Sequence, residues 1–188
     1  MQKIKSIQWP VIIGTSLGAA AFTLRIVSTA WVGMPKGARA VQPFDLDLYL
    51  GKWLEIARMP VRFEQSLQDV TAVYTRNPDG SIRVDNQGYN VKAKRWKESV
   101  GKAKLVNNPN EARLKVSFFG PFYASYNVLA IDNDYNYALV AGHNLDYLWI
   151  LARTTTIPEN VKAEYLQLAQ DLGYRTDKLI WTSHQTTA

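Results

Sequence analysis

The sequence predicts an all-β domain with one helix. The expected form is an eight-stranded antiparallel up-and-down β-barrel with a C-terminal α-helix packed outside, preceded by an N-terminal apolar export or anchor segment. Three observations carry this. Strand-like segments with every second residue apolar follow one another through short turn signals; the periodicity changes from two to about 3.6 only once, near the C-terminus; and a long uncharged run opens the chain. Short connections make successive strands antiparallel neighbours, and eight of them with one apolar face close most naturally into a barrel that leaves no exposed edge.

The first forty residues begin with Lys3 and Lys5, run uncharged from Ser6 to Leu24, and resume apolar character after Arg25. This has the form of an export signal close to the lower length for spanning a bilayer, so a cleaved peptide and an uncleaved anchor are both open. Ser28-Thr29-Ala30 and Ala38-Arg39-Ala40 offer small-x-small cleavage sites. The two lysines put the N-terminus on the cytoplasmic side, and the folded part is exported in either case. Residues 1–40 are therefore assigned to the signal or anchor segment plus linker, and residues 41–188 to the domain.

Within the domain, strands are expected at residues 52–58, 70–76, 82–89, 96–106 and 112–119, then from about 124 to 130, in the stretch before Gly142, and at 147–153. "NPDG", "NNPNE", Gly120-Pro121, "DND" and Gly142–Asn144 supply reversals. The connection "MPVRFEQSLQ", residues 59–68, is too long for a tight hairpin and is read as a lid. "TIPENVKAEYLQLAQDLGY" reads as the helix, with Thr156 and Glu159 as a capping box, Pro158 in the first turn, Val161, Tyr165, Leu168 and Leu172 on one face, and Gly173 as the stop. "KLIWT", residues 178–182, reads as a last short strand.

Charge and composition narrow the function classes. The formal charge is +6, but five uncompensated cations (Lys3, Lys5, Arg25, Lys36 and Arg39) lie in the leader, which leaves +1 for the domain and no footprint for nucleic acid. The chain has no cysteine, hence no disulfide, thiolate metal site, Cys nucleophile or acylated cysteine. The histidines are His143, in a predicted loop, and His184, in the tail; neither forms a Ser-His-Asp or metal-ligand pattern, and no cofactor, metal or catalytic residue is assigned.

The densest aromatic stretch is "LKVSFFGPFYASYNVLAI", residues 114–131. Alternation sets Val116, Phe118, Tyr126 and Val128 on one face and Arg113, Lys115 and Ser117 on the other. On the strand at 147–153, Tyr147, Trp149, Leu151 and Arg153 share a face. Taken alone, these apolar faces fit a filled core as well as a cavity wall.

"FDLDLYLGKWLEIAR", with Gly51-Lys52-Trp53, "AIDNDYNYALVAG", with Asp132, Asp134 and Tyr135, and Arg153 in "LWILAR" together resemble the three motifs of the lipocalins. "GKWLEIARMPVRFE" and "VSFFGPFYASYNV" resemble specifically the bacterial lipocalin branch that includes apolipoprotein D. The resemblance runs from about Phe44 to Trp181. It implies a barrel with one closed and one open end, a short helix before the first strand, and Arg153 stacked over Trp53 at the closed end as structural residues. It also implies a lipophilic ligand, a fatty acid or a lysophospholipid, and admits a homodimer. On that basis the pocket residues expected are Tyr74, Val116, Phe118, Tyr123, Tyr126, Val128 and Trp149, with Ala72, Ile82 and Val84 as further wall and the tyrosine hydroxyls available to a headgroup. Bacterial members are typically lipoproteins with an acylated cysteine, which this chain lacks, so membrane attachment would fall to the N-terminal segment. A lipid-modifying enzyme, with Glu55 as an interior carboxylate, and an envelope scaffold with a filled barrel are the alternatives.

Overall fold

The computed structural model describes residues 32–61 and 66–184. The leader as far as residue 31 and the middle of the expected lid, residues 62–65, lie outside the described residues. Helix α1 (Leu46–Tyr49) leads into β1 (Gly51–Arg58), followed by β2 (Leu67–Arg76), β3 (Ile82–Asn90), β4 (Arg95–Leu105), β5 (Arg113–Phe119), β6 (Phe122–Ile131), β7 (Tyr137–Ala141) and β8 (Leu148–Ala152). Helix α2 (Glu159–Asp171), a 3₁₀ turn (Thr176–Lys178) and the two-residue β9 (Ile180–Trp181) complete the chain.

From β1 to β8 each strand pairs with the next in antiparallel sense, and β1 pairs with β8 as well, so the sheet closes; β9 pairs with β1. The hairpin turns β1–β2, β3–β4, β5–β6 and β7–β8 necessarily lie at one end, and the other connections, with α1, at the opposite end. Closure sorts the apolar residues into two bodies. One fills the barrel and contains Trp53, Tyr74, Val84, Ala103, Leu114, Val116, Val128, Val140 and Leu151; the other lies between the outer wall and α2, around Ile56, Leu139, Ile150, Tyr165 and Ala169. The inward set follows the alternation read from the sequence.

Helix α2 begins at Glu159 with Pro158 as its N-cap, and no side chain caps it. The Thr156–Glu159 capping box is therefore not formed: the first turn closes from Lys162 N–H to the Pro158 carbonyl, 2.9 Å, which leaves Thr156 two residues too early. Its end is as expected. Gly173 takes φ +93°, and Tyr174 N–H reaches back to the Ala169 carbonyl at 3.0 Å.

The segment before the barrel is already held to it. Arg113 Nη2 donates to the Val32 carbonyl and Asn127 Nδ2 to the Gly33 carbonyl, each at 3.1 Å, and Ala38 packs under α2. Val41 then exchanges backbone hydrogen bonds with Val128 and Ala112 at the β5 and β6 edges. The boundary expected at residue 41 thus falls inside a stretch that touches the barrel on both sides.

Candidate ligand-binding site

The closed end is assembled around Trp53, fully buried on β1, whose Nε1 donates to the Tyr49 carbonyl at 2.8 Å. The Arg153 guanidinium lies 3.8 Å from the indole centroid. It also donates to the carbonyls of Leu48, Tyr49 and Leu50, which end α1, and to those of Lys52 and Tyr135, at 2.7–3.2 Å. A cation at the negative end of a helix and over an aromatic face is doubly favoured. Gly51 has φ +92°, so the backbone turn into β1 calls for glycine, although a Cβ there would meet Arg153 Nη1 only in ordinary contact at 3.5 Å. Asp132 accepts from Asn136 and Tyr137 N–H at 2.7 and 2.6 Å, fixing the β6–β7 turn, and Tyr135, at φ +56°, accepts from Asp45 N–H at 2.8 Å. Asp134 is exposed.

Three tyrosines pack together beside Trp53, with the Tyr49 ring centroid 4.9 Å from the indole. The hydroxyls of Tyr49 and Tyr126 are 2.5 Å apart and those of Tyr74 and Tyr126 are 3.0 Å apart. Burial pushes all three phenols up, Tyr74 to about 12 and Tyr49 and Tyr126 well above the ordinary value, so the network is neutral. Tyr74 and Tyr126 face the interior as expected, but their hydroxyls are engaged with each other and with Tyr49 and form the floor of the barrel. Tyr49 is a member of this set that alternation could not find, because it belongs to α1.

The inner wall contains Val116, Phe118, Val128 and Trp149, together with Ala72, Ile82 and Val84. Val116, Phe118, Ala72 and Trp149 lie on the open side of the tyrosines, whereas Val84 is opposite Tyr74, and Ile82 and Val128 lie nearer the closed end. The Phe118 ring lies over Gly101, where an added Cβ would come within 2.8 Å of it. Trp149 stands opposite Arg58 on β1 and Val140 on β7 and stacks on Tyr147 at 6.2 Å. Tyr123 is the exception. It keeps the parity of Ser125 and Asn127 and lies on the outer side, with Lys115 Nζ 5.3 Å from its ring centroid. Alternation persists to the start of β6, so the ring is turned away from the interior.

Toward the open end, the inner face of β4 changes character. The β3–β4 ladder is unbroken, so Ala103, Gly101, Ser99, Lys97 and Arg95 share the inward parity. Ala103 and Gly101 are buried, whereas Ser99, Lys97 and Arg95 are exposed. Ala124, opposite Val116, is exposed as well. The barrel therefore opens to water through a polar, cationic collar.

An ionic group is also buried within it. A bulge at Ile56 places Glu55 opposite Leu151 and Arg58 opposite Trp149, so both face inward. Glu55 and Arg58 are 3 % and 1 % exposed and pair directly. Thr182, just after β9, donates to Glu55 Oε1 at 2.5 Å and accepts from Arg58 Nη1 at 3.0 Å. His184 Nε2 lies 2.7 Å from the Glu55 carbonyl oxygen, and Asp69 N–H donates to the Ser183 carbonyl at 3.0 Å. The C-terminal strap, residues 180–184, is thereby inserted between β1 and β2 where these part. Beside it lies a cleft of about 200 Å³ bounded by Arg58, Leu67, Val91, Trp181 and Thr182. Among the described residues, no group of acidic and histidine side chains is arranged to hold a metal ion.

Comparison with known proteins matches residues 44–184 to the lipocalin-like domain family. The chain is 50 % identical over 147 residues to "Outer membrane lipoprotein Blc" of Citrobacter freundii, covering 78 % of this chain and 83 % of that protein. It is 47 % identical over 165 residues to the protein of the same name from Escherichia coli K12, covering 88 % and 93 %. Apolipoprotein D of Cavia porcellus is 36 % identical over 124 residues, 62 % of this chain and 64 % of that one. Among solved structures, insecticyanin from the tobacco hornworm Manduca sexta superposes with a TM-score of 0.67 at 20 % identity, covering 83 % and 89 %, which supports the fold alone. With the matched domain, the Trp53–Arg153 closure and these relatives in hand, the chain belongs to the lipocalin family, in the branch shared by the bacterial lipocalins and apolipoprotein D.

Proposed function

We propose that the protein binds and carries one single-chain lipid, a fatty acid or a lysophospholipid, in the cell envelope. The acyl chain lies along Phe118, Val116 and Trp149 above the tyrosine floor, and the headgroup rests at the mouth beside Lys97 and Arg95. The observation that carries this is the gradient along β4, from buried Ala103 and Gly101 beneath Phe118 to exposed Ser99, Lys97 and Arg95 on the same face. An amphiphile with an apolar tail and an anionic head matches it end for end. Each methylene moved out of water contributes about 0.8 kcal/mol, so a chain of about a dozen carbons outweighs the cost of immobilising it.

The named outer membrane lipoproteins among the relatives, together with the apolar leader, place the protein in the envelope. Since the chain has no cysteine to acylate, the leader, where retained, is the membrane tether. Carriage rather than catalysis is favoured by Glu55, the interior carboxylate, being held by Arg58 and Thr182.

Titration of delipidated protein with fatty acids and lysophospholipids, followed by tryptophan fluorescence, tests the assignment. Saturable one-to-one binding is expected, weakened at least tenfold in Trp149→Ala while the fold persists by circular dichroism. Trp53→Gly should instead lower stability by about 3–5 kcal/mol, as the loss of a fully buried aromatic does. Absence of binding by any chain to folded protein would refute the carrier reading and favour a filled barrel.

A further inference from the structure

The apolar side chains that the fold leaves in water are polarised to one end. Val91 and Trp96 on the β3–β4 hairpin, Phe119 and Phe122 on the β5–β6 hairpin, and Leu145 on the β7–β8 turn are all exposed, Phe119 and Phe122 to 82 % and 73 %. All belong to the open end; at the closed end the large exposed apolar residue among those described is Leu48. Every residue from Val91 to Val100 is exposed, and within it "VKAKRWK" presents Lys92, Lys94, Arg95 and Lys97 with no acid among them. None of these four forms an ion pair among the described residues, whereas Arg76 and Lys102 are paired with Asp47 and Asp79 of the closed end. The closed-end connections also carry Asp45, Asp132 and Asp134.

We propose that the open end is a docking surface for an anionic lipid bilayer, with the β3–β4 turn giving charge attraction and Trp96, Phe119 and Phe122 entering the interfacial layer. Aromatic rings beside cations are the composition that the bilayer–water interface favours, and exposed apolar residues gathered at one end of a molecule mark an interaction surface. The closed end, where Arg76 and Lys102 are paired with Asp47 and Asp79, offers no comparable run of cations, which orients the barrel mouth-down. A lipid then passes between bilayer and barrel without its chain crossing water. The docking does not depend on which lipid the barrel accepts.

The absence of cysteine makes site-specific labelling direct. Full-length Ala93→Cys and Leu48→Cys proteins, each carrying an environment-sensitive fluorophore, are reconstituted with vesicles of phosphatidylcholine alone or mixed with phosphatidylglycerol, with brominated acyl chains as quencher. With phosphatidylglycerol, the label at 93 should be quenched at least threefold more than the label at 48, and the difference should shrink as salt is raised. A cation near an anionic surface is worth about fivefold in partitioning, so Lys92→Gln/Lys94→Gln should reduce the docked-to-free ratio roughly 25-fold. Equal quenching at both positions, or quenching indifferent to phosphatidylglycerol or to the double substitution, would overturn the proposal. So would shielding of the label at 93 in lipid-free protein of doubled mass, which would identify a second copy of the chain as the partner. Because the readout is the position of the turn, it stands or falls separately from cargo binding.

Discussion

Arg153 and Tyr126 show how single side chains divide the labour inside the barrel. Arg153 satisfies five backbone carbonyls and covers Trp53, so one residue caps α1, closes the barrel end and shields an indole. Tyr126 joins Tyr49 and Tyr74 into a buried, uncharged network. The sign of the resulting pH dependence follows from the raised phenols. Below pH 10 these tyrosines are neutral in both folded and unfolded chains and contribute no slope. Above pH 10 the unfolded chain ionises and the folded one does not, so stability is lost, and for Tyr74 the loss continues until about pH 12. Tyr74 should contribute up to about 1.4 kcal/mol per pH unit in that window, and Tyr49 and Tyr126 act in the same direction. Urea unfolding at pH 8, 10 and 11 should therefore give a flat region followed by a fall, and the part of the phenolate absorbance that Tyr74→Phe removes should appear only as the protein unfolds. If Tyr74→Phe removed phenolate absorbance from native protein at the ordinary tyrosine value, the floor would be wet.

At the scale of elements, the strands were legible and the irregularities were not. Val116, Phe118 and Val128 could be placed inward because alternation reports the face of a strand directly. Glu55 and Arg58 share the inner face only because a bulge at Ile56 resets the parity, and one inserted residue leaves no periodic trace. His184 reads as tail because its partners, Glu55 and Asp69, lie more than a hundred residues earlier. Tyr123 differs for another reason: the family resemblance implies a pocket position for it, whereas on β6 it keeps the outward parity of Ser125 and Asn127 and lies under Lys115. The strap that carries Thr182 and His184 has a measurable role. It covers the Ile56–Arg58 edge of β1 and supplies a donor to a buried carboxylate. Thr182→Val, which removes that donor without loss of volume, should cost about 1–3 kcal/mol in urea unfolding. Deleting the chain after Leu179 should cost more, since the strand edge is uncovered as well. A deletion no worse than the single substitution would mean that the strap only fills space.

For the whole molecule, closure of eight strands decides what kind of site is available. A barrel of this strand number has room for side chains or for one small ligand, and here the lower interior is occupied by Tyr49, Trp53, Tyr74 and Tyr126 while the upper interior meets water at Ser99 and Lys97. A tail that fills the space between should bind to the folded barrel alone, because the unfolded chain has no such wall. Ligand at a hundred times its dissociation constant then adds about 2.7 kcal/mol to the stability, or roughly 5–10 °C in the thermal midpoint for a chain of this size. The dependence on chain length is the more discriminating quantity. Each added methylene should tighten binding by up to about fourfold while buried wall remains, and the gain should end when the tail reaches the floor set by the tyrosines. The midpoint measured at fixed ligand concentration should accordingly climb through a homologous series and then level off. Phe118→Ala, which lengthens and widens the apolar wall space over Gly101, should move the levelling point to longer chains. A midpoint that rises equally with every chain length would place the lipid on the outside of the barrel, where no floor limits it.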